Sequence, residues 1–166
     1  HWDGEHGFLY MPPDKTTDRP AVTLNGSIGH ISHAVFKGYH DSAPVPLRQM
    51  VANVLKRLLP EPVAVADGLP SFGRLTVTEQ DGRRMVHVLS YVPERRGPNM
   101  DMIEEPVELR DVAVRLRVDG LPPQRAYLAP QREELRFRIE DGYAVTTIPR
   151  VPGYAMVVFE ESGRTK

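Results

Sequence analysis

Residues 75–91 read as strand, turn, strand, and this stretch limits the rest of the chain more than any other. Leu75-Thr76-Val77-Thr78-Glu79 leads into Gln80-Asp81-Gly82-Arg83, and Arg84-Met85-Val86-His87-Val88-Leu89-Ser90-Tyr91 follows. Asp-Gly favours a tight turn whose two central residues need positive φ, and β-branched residues on either side suit a pleated, half-buried surface. In the second arm Val86 and Val88 point one way while Met85, Leu89 and Tyr91 point the other. A strand apolar on both faces is expected at the centre of its sheet.

From residue 72 onward the same grammar repeats. Val112, Val114, Leu116 and Val118 alternate with Ala113, Arg115 and Arg117, the pattern of a strand with one wet face. Arg125-Ala126-Tyr127-Leu128 is a short strand. Leu135, Phe137 and Ile139 alternate with Arg136, Arg138 and Glu140, and Glu140-Asp141-Gly142 turns into a strand over 143–148. The last strand covers 154–159. Between these lies Pro93-Glu94-Arg95-Arg96-Gly97-Pro98-Asn99, a polar loop whose two prolines bar a ladder. About seven short strands separated by turns predict an antiparallel β-sandwich, because one flat sheet of that size would leave an apolar face in water.

The chain before residue 69 follows other rules. Residues 1–19 are broken by Gly4, Gly7, Pro12 and Pro13 and read as loop. Ala21-Val22-Thr23-Leu24 and Ser27-Ile28-Gly29-His30-Ile31 flank Asn25-Gly26, a strong hairpin signal. Residues 34–39 predict a short helical turn with Val35, Phe36 and Tyr39 on one side. A longer helix follows Pro44, with Leu47, Val51, Val54, Leu55 and Leu58 at the spacing of one buried face. Pro60 and Pro62 stop it near Leu59, and Lys56 and Arg57 suit the negative end of its dipole. Asp67-Gly68-Leu69-Pro70 marks a hinge. The expected fold class is mainly β: a partial α/β segment with one or two helices over 1–65, then a β-sandwich over 66–166.

Charge and composition exclude several partners. The 21 Lys plus Arg against 22 Asp plus Glu give a net charge of −1, so no global field pulls on nucleic acid or an anionic membrane. No apolar run reaches membrane-spanning length. The absence of cysteine rules out disulfides and thiolate metal sites and fits a reducing compartment, so a cytoplasmic location is expected. The chain starts at His1, and its first methionine is Met11 in the segment Tyr10-Met11-Pro12-Pro13. With the aperiodic first segment, this gives the expectation of the C-terminal part of a longer polypeptide.

Few residue constellations point to chemistry. His1, His6, His30, His33 and His40 crowd the first forty positions, but none falls in a zinc-site spacing, and His30 and His33 would point to opposite faces of a strand. Ordinary loop histidines are expected, with no metal or cofactor. Asp101, Glu104 and Glu105 invite a glycosidase reading, since that chemistry needs two carboxylates about 5 to 10 Å apart. Their place beside a polar loop favours solvated charge. No Gly-x-Ser-x-Gly elbow or Gly-x-Gly-x-x-Gly fingerprint occurs. Arg95, Arg96, Arg115, Arg117, Arg136 and Arg138 each lie near acids, which predicts charge pairing on a solvated sheet face. The aromatics Tyr91, Tyr127, Tyr143, Tyr154 and Trp2 are either core or a sugar platform. Tyr91, Tyr127 and Trp2 are the candidate ligand contacts.

Residues 26–36, Tyr39, and Leu47-Arg48-Gln49-Met50-Val51 through Leu58-Leu59-Pro60 resemble the closing strands and last helix of the trimerisation domain in β-galactosidase-like glycoside hydrolases. Residues 84–96 and 151–160 look like the small all-β domain that ends such enzymes. The resemblance implies a flavodoxin-like or glutamine-amidotransferase-like origin for 1–65. It also implies that the catalytic carboxylates belong to an N-terminal (β/α)8 barrel, which this sequence does not contain. The expected function is therefore a non-catalytic scaffold and oligomerisation region of a glycoside-hydrolase-like protein. Its partners would be the rest of its own polypeptide and further copies of itself. The alternative is a stand-alone carbohydrate-binding β-sandwich module.

Overall fold

The structure is a computed structural model that describes residues 18–161. The chain divides into two compact units after Pro60. The expected boundary at residue 65 falls inside a strand, Ala64–Asp67, that pairs within the second unit, so the division comes earlier than the hinge residues suggest.

In the first unit β1 (Val22–Asn25) and β2 (Ile28–Ile31) form an antiparallel hairpin. Asn25 pairs with Ile28, so the turn residues are Gly26 and Ser27, not Asn25 and Gly26. Gly26 alone of the two has positive φ, as a type II′ turn requires. Helix α1 (Val35–Ser42) and helix α2 (Val45–Leu58) follow, separated by Ala43 in the left-handed region. Pro46 sits in the first turn of α2, where its missing N–H costs nothing, and Lys56 and Arg57 lie in the last. Phe36 is 73% exposed, so the expected Val35-Phe36-Tyr39 face is corrected: Val35 alone of the three is buried. A helix of this length turns about 100° per residue, and Phe36 falls outside the arc that Val35 and Tyr39 share. No residue of α2 is buried, although its apolar stripe is the one read from the sequence.

The second unit is all strand among the described residues. Its elements are β3 (Ala64–Asp67), β4 (Arg74–Gln80), β5 (Arg83–Leu89), β6 (Glu94–Gly97), β7 (Met100–Met102), β8 (Glu108–Arg117), β9 (Pro123–Ala129), β10 (Glu133–Glu134), β11 (Phe137–Glu140), β12 (Tyr143–Pro152) and β13 (Tyr154–Glu161). A five-stranded sheet has the order β10-β9-β13-β5-β4, and a four-stranded sheet the order β11-β12-β8-β3. Every pairing is antiparallel. Val86, Val88, Val157 and Phe159 from one sheet meet Val112, Val114, Leu116 and Ile148 from the other in a single core. Phe159 and Phe137 touch edge to face across it, centroids 6.4 Å apart.

The hairpin β4–β5 has the register its turn dictates. Asp81 and Gly82 both have positive φ, and Gln80 pairs with Arg83. The middle of the sheet, however, is β13, with β5 next to it: the chain's last strand pairs on both sides, a long-range choice that no local pattern signals. Three further expectations change. Residues 93–99 contribute β6, which pairs with β7 in an exposed two-stranded ribbon, because Pro93 and Pro98 lie outside the paired positions. The strand expected across 135–140 begins only at Phe137, as β11; buried Leu135 still donates to the Ala126 carbonyl of β9 at 2.8 Å, following β10 in the other sheet, so the chain crosses between sheets there. Finally, β12 runs past Ile148 to Pro152. The ladder skips Pro149 and Asp111, whose φ is +51°, so the proline falls where no hydrogen bond is asked of it.

Three buried polar side chains fix the ends. Ser90 Oγ donates to the Val107 carbonyl at 2.8 Å, tying the β6–β7 excursion to the core. Thr146 Oγ1 donates to the Arg136 carbonyl at 2.8 Å beside the sheet crossing. Arg84 Nη1 donates to the Arg117 carbonyl at 2.7 Å. Its Nε lies 2.7 Å from Glu161 Oε1, a charge contact without hydrogen-bond alignment.

Candidate functional site

Alternation along β5 sends Val86 and Val88 to the core and Met85, His87 and Leu89 to the outer face of the five-stranded sheet. Register carries that face across the neighbouring strands: His87 lies opposite Thr76 on β4 and Met156 on β13, and Leu89 opposite Tyr154. A polar chain crosses this half-apolar surface. Thr78 Oγ1 is 2.9 Å from His87 Nε2, and His87 Nδ1 is 2.8 Å from the Tyr154 hydroxyl. With both ring nitrogens engaged, the imidazole is fixed in orientation. The imidazole and phenol planes differ by 26°, with centroids 6.1 Å apart. Because a hydrogen bond joins their rims, the two rings meet edge to edge and make one nearly flat surface.

Beside Tyr154 lies an open groove of about 410 Å³, lined among others by Met156, Pro130, Gln131, Glu133 and Arg150. It exists because β9 ends at Ala129, opposite Met156, and leaves Tyr154 and Ala155 without a neighbour on that side. Arg150 is held by Glu108, with Nη2 at 2.5 Å from the carboxylate. That hydrogen bond keeps the Glu108 carboxyl below its ordinary value and raises the guanidinium's.

The residues singled out from the sequence fall in different places. Tyr127 is on the same outer face but buried, with its hydroxyl donating to Glu160 Oε1 at 3.0 Å and the Arg125 guanidinium 5.7 Å from its ring centroid. Tyr91 is 36% exposed and packs over the backbone at Gly153. Trp2 lies outside the described residues, as do His1 and His6. Tyr143 donates to the Pro62 carbonyl at 3.0 Å, away from this face.

The carboxylates beside the polar loop are engaged by its arginines: Asp101 with Arg95 at 2.6 Å, and Glu104 with Arg96 at 2.5 Å. All four are exposed on the β6–β7 ribbon, where ion pairs contribute little. Of the sheet arginines, Arg115 pairs across strands with Asp67, whereas Arg117 pairs with Asp119 just past the end of β8 and Arg138 with Glu140 on its own strand. No group of three or more His, Asp or Glu side chains placed to hold a metal ion occurs among the described residues. No described helix is long and apolar enough to cross a membrane.

Sequence reasoning reached Tyr154 only as one aromatic among several and missed His87. A lone histidine amid Met85-Val86-His87-Val88-Leu89, with Thr78 brought near by the Asp81-Gly82 turn, was the signal that could have found it. Tyr154 joins them through a pairing 67 positions away in the chain.

No protein-family model matches the chain, and no curated protein matches it. Among solved structures it is similar to α-L-fucosidase isoenzyme 2 from Paenibacillus thiaminolyticus, with a TM-score of 0.83 and 28% identity over 97% of this chain and 25% of that one. A cycloisomaltooligosaccharide glucanotransferase from Paenibacillus sp., complexed with cycloisomaltoheptaose, aligns at a TM-score of 0.45 and 16% identity over 58% of this chain and 16% of that one, too low a similarity to carry an argument. The chain thus spans a quarter of the length of the fucosidase it matches, and nearly all of it is similar to part of a glycoside hydrolase.

Proposed function

We propose that the chain is a non-catalytic scaffold and contact region of a glycoside-hydrolase-like protein, with an α-L-fucosidase as the indicated type. The observation that carries this reading is the match of nearly the whole chain to a quarter of a fucosidase chain. The geometry supports it. The exposed carboxylates Asp101 and Glu104 at the β6–β7 ribbon are bound to arginines, and the conspicuous groove beside Tyr154 holds an arginine paired with Glu108. Neither arrangement has the two facing carboxyls of glycoside hydrolysis, one held protonated.

The finer assignment of residues 1–65 to the end of a β-galactosidase-like trimerisation domain rests on the hairpin followed by an amphipathic helix. A groove of about 520 Å³ between Ile31, Val35, Val51, Leu55 and Leu58 remains open there. In this reading the rest of the polypeptide, or another copy, covers it. Light scattering of the chain should then show a dimer or larger species.

Two measurements test the main proposal. Intact-mass analysis of the native source protein should give a product much longer than 166 residues. That product should hydrolyse 4-nitrophenyl α-L-fucoside while the chain alone does not. Turnover by the chain alone, or a native product that begins at His1 and ends at Lys166, would refute it.

A further inference from the structure

We propose that the His87–Tyr154 ring pair and the groove beside it form a contact site for a neutral saccharide ring. The location follows from this chain's own geometry, and the choice of a sugar rests on the carbohydrate setting proposed above.

Three features converge on that ligand class. The first is shape. Two rings joined at their rims and 26° from coplanar offer an extended flat π surface, with Tyr154 40% exposed. The negative face of an aromatic ring attracts the weakly positive C–H groups that line one face of a pyranose, so a sugar ring lies flat on such a surface. The second is preorganisation. Thr78 and Tyr154 hold both imidazole nitrogens, so ligand binding freezes no additional rotation of the His87 ring.

The third is charge. Arg150 is the groove's cation; Glu108 holds it at 2.5 Å and pairs also with Arg110 at 2.9 Å, and Glu133 adds a carboxylate, so the four charges cancel. A uronic or sialic acid would find no net attraction there. Hydroxyl groups, which both donate and accept, fit the Gln131 amide, the Glu133 carboxylate and the remaining N–H groups of Arg150. The other aromatics are less suited. The Tyr127 ring is buried under Arg125, and Tyr91 is seated on Gly153.

The test is a titration of the ¹⁵N-labelled chain, followed by amide shifts, with methyl α-L-fucopyranoside, lactose and maltoheptaose as neutral probes and glucuronate as the anionic one. Saturable shifts centred on Thr78, His87, Gln131, Tyr154 and Met156 are expected for at least one neutral probe. Glucuronate should bind no more tightly. Tyr154→Ala should weaken binding fivefold or more, and Tyr127→Phe should leave it unchanged. Should Tyr154→Ala lose its dispersed spectrum, Gln131→Ala on the exposed turn gives the same comparison with a smaller, two- to threefold, loss. Absence of saturable shifts with every neutral probe, shifts centred elsewhere, tighter binding of glucuronate, or variants that bind like the parent would overturn the assignment. Such a failure leaves the scaffold reading untouched, because that reading is decided by native mass and turnover.

Discussion

Replacing Val88 by Ala measures whether the core lies between the two sheets as described. Val88 is fully buried on β5, paired with Leu75 on one side and Ala155 on the other. The substitution removes two methyl carbons, about 1.6 kcal/mol of transfer free energy at about 0.8 kcal/mol per carbon. Ala155 is too short to fill the space, so a cavity adds to this and brings the expected cost to about 2–3 kcal/mol. Thr78→Ala in the same hairpin is the control. Thr78 is exposed and loses one solvent-accessible hydrogen bond to His87, worth under about 1 kcal/mol. A domain of this size has about 5–15 kcal/mol in total, so the difference is large. In urea, followed by circular dichroism, Val88→Ala should lower the midpoint by about 1 M or more with an unchanged slope. Thr78→Ala should move it much less. Equal midpoints for the two variants would show that the inward face of β5 has been misassigned.

Gly153→Ala should cost more than Gly68→Ala, by at least about 1 kcal/mol in thermal unfolding. Both glycines have positive φ, at +87° and +76°, but a Cβ at Gly153 would lie 2.7 Å from the Tyr91 ring and 2.9 Å from Pro106, whereas the space at Gly68 is open. Equal costs would mean that Tyr91 is not seated on Gly153. A third expectation concerns pH. The hydrogen bond from Arg150 keeps the Glu108 carboxyl below 4.5, so the folded state gives up this charge at lower pH than the unfolded state does. Its stabilisation is therefore complete above the unfolded value and disappears as pH falls through the folded one. The stability gap between the parent and Glu108→Gln should shrink as pH drops from about 6 to about 3, and a gap that is constant across that range would contradict the assignment.

Local chemistry made part of this fold legible. The Asp81-Gly82 pair sets Gln80 opposite Arg83, and from that one constraint Val77 must face Val86 and Leu75 must face Val88. The α2 stripe was legible too, because its spacing is a property of the helix alone. What stayed hidden depends on distant pairing. Ala64–Asp67 has no alternation of its own and becomes a strand because β8 offers an edge. Residues 135–140 alternate without interruption, yet the chain changes sheets there, since alternation records which face is buried and not which neighbour provides the ladder. The ring pair has the same mixed character: Thr78 and His87 are joined by a predictable register, whereas Tyr154 arrives through β13.

The two units differ in how far each completes its own core, and this asymmetry bears on the proposed role. In the second unit, valines, leucines and a phenylalanine from both sheets close over one another, including eight side chains of the fully buried hydrophobic set. In the first unit Val35 is the one buried hydrophobic among the described residues, although Leu47, Val51, Val54 and Leu58 are aligned on α2 and Leu55 is half exposed. A segment of about forty residues has too little interior to offset its chain entropy without a staple or a partner. Leu47, Val51, Val54 and Leu58 are half-buried, so each forgoes part of the about 1.5–3 kcal/mol that full burial gives, and exposed Leu55 forgoes the most. A sequence that spaces five apolar residues along one helix face and fully buries none of them has a pattern suited to a surface not present among the described residues of this unit. That surface is what the proposed larger assembly would supply. Local opening of the first unit at little cost, with amide exchange much faster along α2 than along β5 and β13, is the behaviour such a segment should show while uncovered. Equal protection in the two units would mean that the first is stable without a partner, and the contact role proposed for it would have to be abandoned.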